Sequence, residues 1–139
     1  MATVTSFITG QQEHEIIKGY SGYIQNTLSF ANTNADAADV VQALKVGIGM
    51  VVTKVTLKID TAEGGTSTND IGDGDDPNGY DDAVDFNAAA NTITRSLEAT
   101  DALGVGKYYA AADTIDITLD NDLNTAVVTI IAEYVRIGT

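Results

Sequence analysis

The chain has 139 residues, no cysteine, a formal net charge of −13 at pH 7 and an isoelectric point near 4.1. This length corresponds to one domain, and the lack of cysteine excludes disulfides and thiolate-bound metals. Nucleic acids and anionic membranes bind through Lys and Arg, so the strong negative charge argues against both as partners.

The N-terminal ten residues contain no basic region followed by an apolar segment, so no signal peptide is predicted. No apolar run approaches the roughly 18 residues of a membrane-spanning helix. We therefore expect a soluble protein that is synthesised in the cytoplasm.

Residues 1–22 are polar and show little periodicity. We interpret them as an N-terminal arm that lies on a neighbouring surface, with a disordered tail as the equal alternative. Residues 3–8 predict a short strand and residues 13–18 a helical turn. Residues 23–139 form the predicted folded domain, and its first strand is expected at 23–30, where apolar and polar residues alternate.

Residues 34–46 fit two local structures. Asn34 is a suitable N-cap for a helix that carries Val40, Val41 and Leu44 and ends at Gly47. Alternatively, residues 40–46 alternate as a strand, and the Gly-Ile-Gly turn at 47–49 favours this second interpretation.

The clearest strand pattern lies at residues 50–60. Successive side chains of a strand point to opposite faces. The buried face is expected to carry the apolar set Val51, Thr53, Val55, Leu57 and Ile59. The opposite, partly charged face is expected to carry Val52, Lys54, Thr56 and Lys58.

The second half of the chain predicts further short strands at 66–71, 92–97, 107–110 and 114–119, a loop at 72–80 and one helical turn within 83–90. Turns are expected at 63–65 and 104–106. Residues 125–137 are apolar on both sides, which indicates a central strand covered on both faces. Residues 120–124 predict a hairpin turn before it. About eight short strands, with turn signals about every ten residues, predict an all-β antiparallel sandwich or barrel.

An acidic, turn-rich loop occupies residues 70–85. Between residues 59 and 94 there is no Lys or Arg, and the carboxylates are Asp60, Glu63, Asp70, Asp73, Asp75, Asp76, Asp81, Asp82 and Asp85. Calcium selects crowded oxygen ligands of this kind. The calcium candidates are Asp73, Asp75, Asp76 and Asp81, and the preferred alternative is a solvated acidic surface loop without any cofactor.

The spacing within this loop matches a calcium-binding motif only in part. Asp76 precedes Asn78-Gly79 by two residues, and Asp85 follows that glycine by six. The motif requires a carboxylate two residues before Asp76, where this chain has Gly74.

No residue pattern predicts an enzyme. His14 is the only histidine and lies in the polar arm, so we expect an ordinary surface residue rather than part of a catalytic triad. Glycoside hydrolysis by paired carboxylates is disfavoured because the chain has few aromatics and no Trp for a sugar cleft. Tyr108 and Tyr109 are expected to place one ring inward and one at the rim.

Four segments, at residues 40–65, 70–82, 106–119 and 129–135, resemble small structural proteins of tailed bacteriophages. The resemblance covers a little under half of the chain and rests on turn and core residues. It implies a jelly-roll β-sandwich and a decoration (cement) protein on the exterior of the phage head. Such a protein binds the major capsid protein, as a homotrimer, without nucleic acid or membrane contact. Under this resemblance residues 40–46 are a strand.

Two functions from different classes follow. The first is a non-enzymatic virion protein that stabilises a phage head, with residues 3–20 ordered on the capsid or within the trimer. The second is a receptor- or glycan-binding β-domain of a phage fibre or tail that uses calcium in the acidic loop. The sparse aromatics count against the second.

Overall fold

A computed structural model describes residues 1–17, 20–96, 103 and 106–137. In these residues the chain forms two β-sheets with a common core, which confirms the predicted antiparallel β-sandwich. The described ranges contain eleven strands rather than about eight, because several of the strands are only two or three residues long. Within the same ranges, no helix is long and apolar enough to cross a membrane.

The strands follow one another along the whole described chain, with one short 3-10 helix, Ser6–Gly10, near the start. In order they are β1 (Thr3–Val4), β2 (Gln12–Ile17), β3 (Ser21–Ser29), β4 (Val40–Val46), β5 (Met50–Thr61), β6 (Thr68–Gly72), β7 (Asp81–Asp85), β8 (Ile93–Arg95), β9 (Lys107–Tyr108), β10 (Asp113–Leu119) and β11 (Val127–Arg136).

Each sheet joins strands that are distant in sequence. Sheet A has the order β1-β4-β10-β6-β7, and sheet B has the order β2-β3-β11-β5-β8, with β9 also paired to β5. β1 runs parallel to β4, and the other described strand pairs are antiparallel. The inner faces of both sheets supply the core, because every second side chain of a strand points the same way. Its fully buried aliphatic side chains include Ile24, Leu28, Leu44, Leu57, Ile59, Ile71, Ile115, Ile117 and Leu119.

β5 changes face partway along its length. Val55, Leu57 and Ile59 are buried as predicted, but Val52 is also buried, whereas Val51 is half-buried and Thr53 is exposed. The strand pairs with β11 in a register that shifts at this point and leaves one extra residue in β5. A β-bulge of this kind reverses the alternation, so the predicted face assignment is wrong for residues 51–53.

Local expectations had mixed outcomes. The strand interpretation of residues 40–46 is confirmed by β4. The helical turn expected at 13–18 is wrong because residues 12–17 form β2, which pairs with β3. The helical turn within 83–90 is wrong for its first part, since β7 continues to Asp85 and pairs with β6. In both cases strand pairing outweighs a weak local preference. The bend expected at 104–106, the helical turn predicted at 13–18 and the strand predicted at 92–97 each lie partly outside the described residues.

The connection from β10 to β11 is not a hairpin. β10 pairs with β4 and β6 in sheet A, and β11 pairs with β3 and β5 in sheet B, so the chain crosses between the sheets. The Glu63 carboxylate holds this crossing by accepting backbone N–H bonds from Asn124, Thr125 and Ala126 at 2.9, 3.1 and 2.7 Å. The local turn signal was correct, but it carried no information about which sheet follows.

β11 is central in sheet B, as predicted. The prediction that it is covered on both faces is wrong for this single chain, because its outward side chains from Val127 to Glu133 are only partly buried. An outer face that contains Val127 and Ile131 is therefore available for a further contact.

The described N-terminal residues lie against the chain's own sandwich. The Phe7 ring is 9% exposed and packs on Phe30 with ring centroids 5.0 Å apart. Asn26, buried in β3, donates through Nδ2 to the backbone carbonyls of Phe7 and Ala43 at 2.6 and 3.0 Å. The division into an arm (1–22) and a sandwich (23–139), and the ordering of residues 3–20 on a neighbour, stay predictions.

Candidate functional site

The acidic loop lies on the outer face of sheet A. Gly72 ends β6 and is paired with Asp116 of β10. A Cβ added to Gly72 would lie 2.0 Å from the backbone oxygen of Asp76 and 2.4 Å from Pro77. Residues 76–77 therefore pass directly over this position, and only a glycine permits so close an approach.

Asp73 organises the loop. Its Oδ1 accepts the backbone N–H groups of Asp75 and Asp76, both at 3.0 Å. Its Oδ2 accepts Lys107 Nζ at 2.6 Å and the Tyr109 hydroxyl at 2.9 Å. The residue is 2% exposed. A carboxylate that is buried and accepts four hydrogen bonds is a structural centre of the loop.

The bonds of Asp73 join the two sheets. Tyr109 follows β9, which pairs with β5 in sheet B, whereas Asp73 follows β6 in sheet A. The hydroxyls of Tyr109 and the fully buried Tyr80 lie 2.8 Å apart, so the contact continues into the core. Lys107 also reaches Asp75 Oδ2, at 3.3 Å.

Protonation follows from these contacts. Burial opposes ionisation of Asp73, but hydrogen bonds from Lys107, the backbone of Asp76 and Tyr109 outweigh it and lower its pKa. Burial also opposes the charge of Lys107, but the paired carboxylates raise its pKa above the usual value. Burial and the neighbouring carboxylate raise the pKa of Tyr109, and burial raises that of Tyr80. At neutral pH the network is therefore a carboxylate–ammonium pair with two neutral phenols.

Asp116 faces outward from β10 and is nevertheless 7% exposed. Burial, followed by the charges of Asp113 and Asp73, raises its pKa to about 6, against a hydrogen bond from Thr114 that lowers it. Its Oδ1 has no hydrogen-bond partner among the described residues. The alternation of residues 114–119 places Asp116 on the outer face, but a strand pattern does not indicate that the residue is buried there.

The calcium candidates have distinct surroundings. Asp73 is committed to the network above, and Asp75 is an exposed partner of the same lysine. Asp76 supplies its backbone oxygen to Asp73 N–H and Gly79 N–H, both at 3.0 Å. Asp81 Oδ1 accepts the N–H of the next residue. In the part of the chain that the structure describes, no group of three or more His, Asp or Glu side chains is placed to hold a metal ion.

The two outer faces differ in charge. The outer face of sheet B carries three of the seven cations of the chain, Lys54, Lys58 and Arg95. Lys54 pairs with Glu133 at 2.8 Å, and Lys58 pairs with Asp60 at 2.9 Å. Arg95 forms no ion pair within the described ranges, so this face has a small positive excess.

The outer face of sheet A has the opposite character. Its outward carboxylates include Asp70, Asp85 and Asp116. Burial and the charges of Asp82 and Asp120 raise the pKa of Asp70, against a backbone bond that lowers it, which reflects the crowding of negative charge. The sandwich is therefore electrically polarised from one face to the other.

Two aromatic expectations are confirmed. Tyr109 is 2% exposed and Tyr108 is 53% exposed, one inward and one at the rim. His14 is exposed and stacks on Tyr23 with ring centroids 4.9 Å apart, as a surface residue. The pairing of Lys107 and Tyr109 with Asp73 was missed, because more than thirty residues separate these partners in sequence.

No protein-family model matches the chain, and no curated protein sequence matches it. Similar folds are found among solved structures of phage capsids. A chain in the capsid of Ralstonia phage GP4 has a TM-score of 0.69 and 16% identity, over 99% of this chain and 99% of that one.

Two further capsid chains are similar. One, in the acidic stable capsid of Helicobacter pylori bacteriophage KHP30, has a TM-score of 0.61 and 14% identity over 90% of this chain and 92% of that one. One in the cyanophage Pam1 capsid asymmetric unit has a TM-score of 0.54 and 18% identity over 92% of this chain and 87% of that one. At these identities the likeness shows a shared fold.

Proposed function

We propose that this protein is a non-enzymatic structural component of a phage virion that binds the outer surface of the head and stabilises the capsid. The observation that carries the proposal is the fold shared with a chain of the Ralstonia phage GP4 capsid over 99% of both chains. The match extends over the whole sandwich, including both sheets and the N-terminal strands, rather than over a common core alone.

The charge of the chain supports a position on the exterior of the head. A net charge of −13 opposes binding to packaged nucleic acid, because phosphate contacts require Lys and Arg. The same charge opposes non-specific aggregation of the free protein before it binds the head. Both properties suit a protein that is added to the outside of a filled shell.

The construction of the acidic loop supports a structural role. Asp, Lys and Tyr side chains act as acids and bases in many enzymes. Here Asp73, Lys107 and Tyr109 are instead each engaged in a contact between the two sheets. Asp73 is buried and hydrogen-bonded by both oxygens, so it has no free lone pair directed at solvent. Rigidity of this kind benefits a protein that must keep its shape outside a cell.

A homotrimer that binds the major capsid protein completes the proposal. Shells with icosahedral symmetry present threefold positions, and a cyclic trimer offers the same surface to each surrounding subunit. One trimer thereby contacts three shell subunits at once, which multiplies a weak single contact.

The test uses heads of the phage that encodes this chain, prepared with the protein and from a deletion strain. We expect purified protein to rebind the deficient heads to a fixed number of copies, and to raise the temperature at which they release DNA. Cosedimentation measures the bound copies, and a DNA-binding dye reports the release. Absence of the chain from wild-type heads, or its presence only in tails, would overturn the proposal.

A further inference from the structure

We propose that copies of this chain associate through the outer face of sheet B, where Arg95 meets a carboxylate of the neighbouring copy. This inference rests on the proposed function for the expectation that an oligomer exists. It adds the surface that forms the oligomer and the charge that directs it.

Electrostatics restricts where two copies can meet. Each copy carries a net charge of −13, so contact through most of the surface would bring carboxylates together. Desolvating unpaired like charges is unfavourable. The outer face of sheet B avoids this cost because its two described carboxylates, Glu133 and Asp60, are already paired with Lys54 and Lys58.

Arg95 is the unpaired positive charge among the described residues of this face. It lies on β8 opposite Thr56 of β5, it is exposed, and it forms no ion pair with another described residue. A guanidinium binds a carboxylate through two parallel hydrogen bonds. Since both carboxylates of this face are already paired, the carboxylate that Arg95 meets belongs to the acidic surface outside the outer face of sheet B in the second copy. The contact is therefore head-to-tail, as in a cyclic oligomer.

The face also offers apolar contact area. Ile131 of β11 and Tyr23 of β3 are only half-buried, and Ile93 on β8 is 50% exposed. With Thr56 and Arg95, Ile131 and Tyr23 line an open groove of about 360 Å³. Apolar centres with a charged rim are typical of protein interfaces, and the apolar outward residues of β11 are left partly exposed by the described residues of the chain.

The outer face of sheet A is a poorer choice. Asp70 and Asp85 project from it, and Asp116 lies within it. Among the described strands of sheet A, the only cation is Lys45, near the end of β4. Two such faces would repel each other. Lys45 is nevertheless exposed and carries the same charge as Arg95, which makes it a matched control position.

The test measures native mass by sedimentation velocity for the wild type, Arg95→Glu and the control Lys45→Glu. Both variants change the net charge by the same amount. We expect the wild type and Lys45→Glu to remain oligomeric at micromolar concentration and Arg95→Glu to dissociate, with a dissociation constant raised at least about tenfold. Thermal unfolding of each variant establishes that both are folded.

A monomeric wild type, or an oligomer that Arg95→Glu leaves intact, would overturn the inference. The same variants are then added to deficient heads. An oligomeric Arg95→Glu protein that no longer binds heads would assign the face to the shell and leave the proposed function standing. A wild-type oligomer that Arg95→Glu separates, but that binds no heads, would support the inference and reject the proposed function.

Discussion

Asp116 shows how a residue on the outside of a sheet becomes an interior group. It points away from the core of the sandwich, yet it is only 7% exposed, and it is paired with Gly72, over which residues 76–77 pass. The negative charges of Asp113 and Asp73 also raise its pKa. Its environment is therefore built by a loop that joins the sheet from a distant part of the chain.

The pKa of Asp116, raised to about 6, has a consequence for stability. The folded chain binds this proton more tightly than the unfolded chain, so Asp116 does not lower the free energy of unfolding below about pH 4. The loss of stability grows as the pH rises toward about 6 and is then constant, at about 2–3 kcal/mol. We expect Asp116→Asn to raise the free energy of unfolding by about 2 kcal/mol near neutral pH and to leave it unchanged near pH 4.

Urea unfolding across this pH range measures the effect. Asp36→Asn is the control, because Asp36 is exposed and its loss also removes one negative charge. An Asp116→Asn difference that stays constant with pH would show that hydrogen bonding or packing, rather than ionisation, determines the effect. Asp73 has a lowered pKa, so its charge is present in all three folded proteins over this pH range, and Asp116→Asn removes the repulsion that Asp73 exerts on Asp116.

At the scale of an element, the connection between β6 and β7 is best described as a loop folded back on its own sheet. Asp73 fixes its first turn by accepting two backbone N–H bonds, and Asp76 closes it by bonding to Gly79 N–H. Lys107 then joins the loop to β9. The loop is therefore stabilised at both ends and is not a loosely solvated tether.

Close packing of this loop predicts different effects for two glycines a short distance apart. In Gly72→Ala the new methyl group would overlap backbone atoms of Asp76 and Pro77, whereas the same change at Gly74 meets nothing within 4 Å. We expect Gly72→Ala to destabilise the protein by about 3 kcal/mol and Gly74→Ala to have little effect. Denaturant unfolding of both variants measures this, and equal stabilities would show that the loop does not pack on β6.

At the scale of the whole molecule, charge is distributed unevenly. The acidic loop and the outer face of sheet A carry clustered carboxylates, and the outer face of sheet B carries Lys54, Lys58 and Arg95. A polarised molecule can approach a partner in one orientation, because potentials of opposite sign select how two surfaces meet.

Cation binding by the acidic loop stays a prediction, and the contacts of Asp73 lead us to expect that the loop binds no calcium. Asp73 already has an ammonium partner in Lys107, so calcium would have to displace it. We expect that neither the native mass nor the unfolding midpoint changes when a chelator is added, or when calcium replaces an equal ionic strength of magnesium. A native mass that falls on chelation would place a structural metal ion in the interface. A midpoint that rises and saturates with calcium would show a site within one chain.

The sequence by itself determined the class of fold, the position of most strands and the acidic character of the molecule. These depend on alternation over five to ten residues and on composition, which are local or additive properties. The tertiary structure alone decided that a bulge near Thr53 reverses the face of β5, that β10 and β11 belong to different sheets, and that Lys107 neutralises Asp73. Strand register and ion pairing depend on contacts between residues far apart in the chain, and a single sequence carries no local signal for them.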